Sequence, residues 1–387
     1  MTAMALAGRL VTATGILDRG VLDVRPDGTI GYVGPASGWP GPAPEPAGTI
    51  APGYIDIHCH GGGGHTVNSP DPDEVAAVAA HHLSCGTTTM LASLVSAPAA
   101  ELVAAITAIA SVVATGSTVA GCHVEGPFMD PAHRGAHDPA HLRLPESGEL
   151  AAWLAAGSDD AGRPTVRMVT LAPELPGAAA AAAFLERSGV VVGLGHTGTD
   201  ARGFGEALRS LRNPLVTHLF NGMEPLHHRR PGPVAASLDA LARGATRVEL
   251  IADGVHLADE TVHMVFAVDP GRHIVLVSDA MVAAGMPDGD FELGSVRVRV
   301  ADGRAWTRTE PPSLAGGTSH AADLVRRCVV QAGVDPVAAV AAATSTPAAL
   351  LGLDDRGSLA TGQRADLVVL DPDWRVRRVM RGGEWVQ

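Results

Sequence analysis

Lysine is absent from this chain of 387 residues, and arginine supplies all 28 basic side chains. Chemistry that needs a lysine amine is therefore closed to it. Aromatic residues make up only 3% of the sequence against a hydrophobic share of 46%, so a core has to be built from Ala, Val, Leu and Ile. Aliphatic content of this kind suits buried parallel strands and the helices that cover them. The four cysteines, Cys59, Cys85, Cys122 and Cys328, include no Cys-x-x-Cys pair, which fits reduced and packed thiols rather than a disulfide framework. Met1 to Thr14 lacks the basic, apolar and small-residue succession of a secretion signal, and no apolar run reaches membrane-spanning length. A cytoplasmic location is expected. Positive charge is also short. The net charge of −13 disfavours nucleic acid and membrane surfaces as partners, while leaving room for a small anionic substrate held by local arginines.

What is present is periodic. From Gly53 onward short apolar runs alternate with stretches of helical character, the pattern of a parallel sheet. The runs predict strands over Tyr54–His58, Thr87–Leu94, Val119–Glu125, Val166–Leu171, Val190–His196, Leu215–Leu219, Val248–Asp253 and Ile274–Asp279. Helices are predicted over Asp73–Ser84, Ala100–Val113, Gly177–Ser188, Asp200–Leu211, Val234–Ala242 and Ala258–Val265, with Asp73 and Asp200 as N-terminal caps. Length alone suggests two or three domains, but eight βα units favour one closed (β/α)8 barrel of the TIM type over an open sheet. The ends read differently. Residues 5–34 and 357–387 alternate in short stretches separated by turn residues, and together predict a small β-sandwich domain. The expected division is 1–52 and 355–387 for that domain and 53–354 for the barrel. Gly34 to Gly48 reads as a Pro/Gly/Ala linker, and Phe291–Trp306 as a β-hairpin inserted near 288–312 after the eighth strand.

Six metal-ligand residues fall at the ends of these strands. His58 and His60 close the first, where an i, i+2 spacing puts two imidazoles on one face. Glu125 closes the third, His196 the fifth, His218 the sixth and Asp279 the eighth. In a barrel all six converge on the carboxyl-terminal rim, where active sites of this architecture sit. Gly61 to Gly64 lacks the sequel of a nucleotide-binding loop. His65, His81, His82, His133, His227 and His228 are read as surface or loop residues, and Cys59 and Cys122 as packing.

The order and contexts of these residues resemble the amidohydrolase superfamily over nearly the whole chain. The resemblance runs from Pro52-Gly53-Tyr54-Ile55-Asp56-Ile57-His58-Cys59-His60 through Ser278-Asp279-Ala280 to Gly362-Gln363-Arg364-Ala365-Asp366-Leu367. Many members bridge two metals with a carboxylated lysine, which this chain cannot supply. His123-Val124-Glu125-Gly126-Pro127-Phe128 is instead similar to the strand-three motif of N-acetylglucosamine-6-phosphate deacetylases. Gly135-Ala136-His137, Gly195-His196-Thr197, His218-Leu219-Phe220-Asn221-Gly222 and Asp253-Gly254-Val255-His256 extend the match.

The resemblance implies that Glu125, His196 and His218 hold a principal metal, and His58 and His60 a second, with Glu125 bridging and Asp279 close by. Zinc suits the mixed N/O donors, with iron, cobalt or manganese as alternatives and one or two ions bound. Asp279 is implied as the general base and acid, and His137 as the group that polarises the acetyl carbonyl. Asn221, Gly222, Arg229 and His256 match substrate-contacting positions, and Thr318, after Ala315-Gly316-Gly317, is a further candidate near the sugar. Arginine suits a phosphate because its planar fork bonds two oxygens at once. In the resemblance, Arg229 reaches into a neighbouring subunit, which implies a homodimer. The expected reaction is deacetylation of N-acetyl-D-glucosamine 6-phosphate. The alternatives are deacetylation of a related amino-sugar phosphate such as N-acetylgalactosamine 6-phosphate, deamination of a ring, and an amino-sugar-binding barrel without catalysis.

Overall fold

The computed structural model describes residues 4–159 and 161–386. The amino-terminal strands are β1 (Met4–Thr12), β2 (Gly15–Val24), β3 (Ile30–Pro35) and β4 (Glu45–Pro52). The barrel strands begin with β5 (Tyr54–Cys59), which runs into the two-residue strands β6 (Gly61–Gly62) and β7 (His65–Thr66). They continue as β8 (Thr87–Leu94), β9 (Val119–Glu125), β10 (Val166–Leu171), β11 (Val191–Leu194), β12 (Leu215–Val216), β13 (Arg247–Leu250) and β14 (Ile274–Leu276). The helices are α1 (Pro72–Ser84), α2 (Ala99–Ala114), α3 (Ser147–Ala155), α4 (Ala178–Arg187), α5 (Ala201–Ser210), α6 (Gly232–Ala242), α7 (Asp259–Val268), α8 (Ala321–Val330), α9 (Pro336–Ala342) and α10 (Ser345–Leu351).

The eight barrel strands hydrogen-bond in the order β5, β8, β9, β10, β11, β12, β13, β14, all parallel. The seam between β14 and β5 is closed just beyond the strands, by a bridge of Cys59 with Ala280. There His60 N–H donates to Ala280 O at 2.7 Å and Asp279 N–H to His58 O at 2.9 Å. The barrel interior is aliphatic: Ile55, Ile57, Leu91, Met168, Val191, Leu215, Ile251, Val275 and Val277 form one buried cluster. Leu350 and Leu351 of α10 join that cluster from one end. A second, larger layer packs the outer faces of the strands against the helices, with Phe128 and Trp153 stacked at 5.3 Å.

Four strands end earlier than their apolar runs suggest, and after β11, β12 and β14 a left-handed residue follows. His196, His218 and Asp279 have φ of 49°, 27° and 48°. These are left-handed conformations that a side chain with a Cβ takes at a cost of about 1–3 kcal/mol, and they terminate the ladder while turning the side chain inward. The cap of α1 also differs from expectation. Asp71, not Asp73, accepts the first free N–H, from Asp73 N, because Pro72 sits at the helix start where a missing donor costs nothing. Asp200 caps α5 as expected, accepting from Gly203 N.

The inserted segment is three-stranded, with β15 (Gly289–Leu293), β16 (Val296–Ala301) and β17 (Arg304–Thr307) antiparallel. The carboxyl-terminal strands are β18 (Leu367–Leu370), β19 (Val376–Arg381) and β20 (Glu384–Trp385). They combine with the amino-terminal strands in one continuous sheet, β20-β19-β18-β4-β1-β2-β3, around a separate core that includes Leu6, Leu22, Ile50, Leu367 and Met380. Part of the expected linker is therefore a strand. Glu45–Pro52 pairs in parallel with β1 and antiparallel with β18, giving its backbone groups partners on both sides.

Candidate metal centre and active site

Glu125 is the hub of the rim. Its Oε1 lies 3.0 Å from His196 Nε2, 2.9 Å from His218 Nε2 and 3.5 Å from His58 Nε2. Its Oε2 lies 3.3 Å from His60 Nε2 and 3.1 Å from His137 Nε2. The four ligand-type imidazoles form two pairs, His58 with His60 and His196 with His218, each with Nε2 atoms 3.1 Å apart. Asp279 Oδ1 stands 3.1 Å from His60 Nε2 and 3.6 Å from His58 Nε2. The expected six are thus brought together.

The opposite ring nitrogens decide where the protons sit. His60 Nδ1 faces Ser93 O at 2.8 Å, and His196 Nδ1 faces His133 O at 2.8 Å. His58 Nδ1 faces Glu249 Oε2 at 3.1 Å. Carbonyls and carboxylates accept only, so each of these Nδ1 atoms must donate, and in the neutral ring Nε2 carries a bare lone pair. Three lone pairs aimed at one carboxylate, with partner nitrogens at 3.1 Å, is an arrangement that protons alone satisfy poorly and a divalent ion satisfies well. His218 Nδ1 is buried with no hydrogen-bond partner among the described residues.

His137 is wired the other way. Ser96 N–H donates to its Nδ1 at 3.2 Å, so the proton of the neutral ring sits on Nε2 and points to Glu125 Oε2. Burial also holds its pKa below the ordinary value, against the pull of Glu125. It is therefore built as a neutral hydrogen-bond donor rather than as a metal ligand.

Charge follows the same logic. Burial lowers the pKa of His58, yet the charges of Glu125 and Glu249 outweigh it and hold the ring well above its usual range. His60 is likewise carried up to about 9 despite burial, by Asp279 and Glu125. A +2 ion would supply the same positive charge and release those protons. Asp279 is pushed down to about 2, because His60 and His58 overcome its desolvation, and is ionised at neutral pH.

The rim opens into a cavity of about 370 Å³ lined by His60, Glu125, His137, His196, His218, Asn221, Gly222, His256 and Asp279. The inserted strands supply part of the wall through Leu293 and Trp306. His256 Nδ1 is tied to Asp253 Oδ2 at 2.8 Å, which leaves Nε2 as the ring's free nitrogen. Among the expected substrate contacts, Thr318 alone needs correction. Asn221 lines the cavity, with its backbone N–H donating to His218 O at 2.9 Å. The Thr318 hydroxyl donates to Gly303 O at 2.6 Å and does not line the cavity. Arg229 is exposed and lines a separate cleft with Gly198, Asp200, Glu224 and His227.

Sequence reasoning missed the residues that hold the rim in place. Glu249 is fully buried on β13 and its Oε2 accepts from both His58 Nδ1 and His218 N–H, each at 3.1 Å. His123, two residues before Glu125, lies edge-on to His58 and bonds Ser93 Oγ and Thr170 Oγ1. A buried-strand acid in Arg247-Val248-Glu249-Leu250 was the available signal.

The amidohydrolase family pattern matches residues 49–386. A curated N-acetylgalactosamine-6-phosphate deacetylase from Escherichia coli O157:H7 is 36% identical over 100% of this chain and 98% of its own length. A curated N-acetylglucosamine-6-phosphate deacetylase from Bos taurus is 36% identical over 87% of this chain and 83% of its own. Among solved structures, a mutant N-acetyl-D-glucosamine-6-phosphate deacetylase from Mycobacterium smegmatis, in complex with N-acetyl-D-glucosamine-6-phosphate, superposes with a TM-score of 0.92 at 36% identity. That superposition covers 100% of this chain and 99% of the other. With a matched span from the last strand of the amino-terminal segment to the last described residue, this chain belongs to the amidohydrolase family.

Proposed function

We propose that the chain hydrolyses the acetamide of N-acetyl-D-glucosamine 6-phosphate to glucosamine 6-phosphate and acetate. The observation that carries this reading is the rim itself: bare imidazole nitrogens converging on Glu125, beside an ionised Asp279 and a single N–H donor, His137. The relatives named above supply the substrate class. Residues 53–354 are the catalytic unit on this reading, flanked by the β domain of 1–52 and 355–387.

His58, His60, Glu125, His196, His218 and Asp279 would hold one or two divalent ions, with zinc the best match to the N/O donors. Such an ion supplies acidity, drawing the pKa of a bound water from 15.7 toward about 7, and polarises a carbonyl oxygen. Asp279 takes a proton from the attacking water and delivers it to the departing nitrogen, so base and acid are one carboxylate used twice. His137 Nε2–H donates to the acetyl oxygen as negative charge builds there. Trp306, Leu293 and Leu314 cover the reacting amide. His256 and Gly222 face the sugar, and Arg229 binds the phosphate of a partner subunit's substrate, so the active assembly is a homodimer.

The test is acetate release from N-acetylglucosamine 6-phosphate, unphosphorylated N-acetylglucosamine and N-acetylgalactosamine 6-phosphate, using chelator-stripped protein with and without zinc. Zinc-dependent release from the first, with little from the second, is expected. Preference for the galactosamine compound would move the assignment to the activity carried by the Escherichia coli relative. Release from none, across zinc, manganese, iron and cobalt in folded protein, would sink the deacetylase reading.

A further inference from the structure

We propose that His81, Cys85 and His320 form a second metal site, for a borderline-soft divalent ion such as zinc, that staples the barrel across its seam. His81 and Cys85 are four residues apart at the end of α1, so one helix face presents both. His320 immediately precedes α8. One donor atom from each of the three lies within 4.8 Å of the other two, and all three residues are only partly buried.

Three features separate this cluster from a chance meeting of side chains. His81 Nε2 and His320 Nε2 stand 2.9 Å apart. His320 Nδ1 faces Asp323 Oδ2 at 3.2 Å, and because a carboxylate only accepts, the neutral ring donates from Nδ1 and turns a bare Nε2 toward His81. That carboxylate–histidine arrangement is the support that metal-bound imidazoles use. The His81 ring also lies in a glycine cradle. A Cβ on Gly62 would come within 2.9 Å of His81 Cδ2, one on Gly63 within 2.8 Å of Nδ1, and one on Gly285 within 2.6 Å of Cε1.

The donor set then selects the ion. A thiolate with two imidazoles suits zinc, cobalt or copper over magnesium or calcium. Tetrahedral zinc with Zn–N bonds of about 2.0–2.1 Å wants its nitrogens roughly 3.3 Å apart, so the pair needs to open by a few tenths of an ångström. Water completes the shell on the exposed side. The mechanical result follows from position: α1 belongs to the first βα unit, whereas α8 packs against both β5 and β14, the two seam strands. Metal binding would tie these together outside the barrel, with a sulfur ligand that the six rim residues lack.

Sulfur makes the test independent of substrate and of the deacetylase assignment. Protein exchanged into Co2+ is titrated to saturation and its near-ultraviolet spectrum and bound metal are measured. A thiolate-to-cobalt charge-transfer band is expected, with one metal equivalent per chain beyond the catalytic complement. Cys85→Ser and His81→Gln should each abolish the band and that equivalent, while acetate release by zinc-loaded enzyme stays unchanged. Zinc in excess of the catalytic complement should raise the Tm of the unaltered chain and not of the variants. A saturated spectrum without the sulfur band, or a band that persists in Cys85→Ser, overturns the proposal.

Discussion

Glu249 shows how much of a site can rest on a residue that touches no substrate. Its Oε2 holds His58 by the ring and His218 by the backbone, one from each imidazole pair. Glu249→Gln keeps the volume but removes the charge, and the loss expected for such a supporting carboxylate is about 10–100-fold in metal affinity or activity. Metal content at limiting zinc, measured beside kcat, would register it; unchanged values for both would show that β13 plays no part in the centre. Asp279→Asn should lower kcat by about 10²–10⁴-fold with KM little changed, since the amide cannot carry the proton. An Asp279→Asn enzyme with near-normal turnover would remove Asp279 from the proton path. The sequence made the six rim residues legible because each closes an apolar run. Glu249 was not, because its partners are 31 and 191 residues away and only barrel closure brings them together. Thr318 was misplaced because nothing beside it in the sequence shows that its hydroxyl is spent on Gly303 O.

At the scale of elements, β8, β9 and β10 match the apolar runs that predicted them, while β11 to β14 stop short. Hydrophobicity reports burial, and burial continues past the point where the left-handed turns at His196, His218 and Asp279 end the pairing. Strand β4 was illegible because its composition is that of a loop and its partners, β1 and β18, lie at opposite ends of the chain. The inserted strands were visible from their alternation, but their place over the cavity was not. Trp306, 39% exposed and lining that cavity, offers a flat apolar face to whatever occupies it. Trp306→Ala is expected to raise KM several-fold, on the order of 1 kcal/mol of lost apolar contact, and to change kcat less. Steady-state kinetics on the phosphorylated substrate decides this, and a kcat defect at unchanged KM would instead assign the insert a part in the chemical step.

The whole molecule carries its acid sensitivity in a few buried groups rather than in its net charge of −13. His82 is the clearest. Burial, helped by His320 and His81, pushes its pKa down to about 3. Below pH 6.5 the unfolded chain therefore takes up a proton that the folded chain refuses until about pH 3. The associated stability is complete above pH 6.5 and is lost as pH falls toward 3, on the order of a few kcal/mol in all. His82→Gln keeps a donor for Gly61 O, to which the ring bonds at 3.0 Å, and removes the titration. Urea midpoints between pH 7 and 4 should fall less steeply for the variant; parallel curves would assign the acid limb elsewhere. The eight-strand plan of the barrel was legible because each βα unit repeats the same alternation. Closure follows from the count of eight units, but the residues that make the seam, Cys59 and Ala280, were not legible, since nothing in β5 or β14 alone marks them.

The continuous sheet made from both ends of the chain sets a clock on biosynthesis. Strand β4 ends at Pro52, and its antiparallel neighbour begins only at Leu367. At roughly 5–20 residues per second, a ribosome needs about 15–60 s to cover that interval. During that time one edge of β4 is unpaired while the barrel is being threaded, so the first strands to emerge are among the last to be sealed. A nascent chain stalled before β18 would present an adhesive edge to its neighbours on the same message, and chaperone demand should peak there.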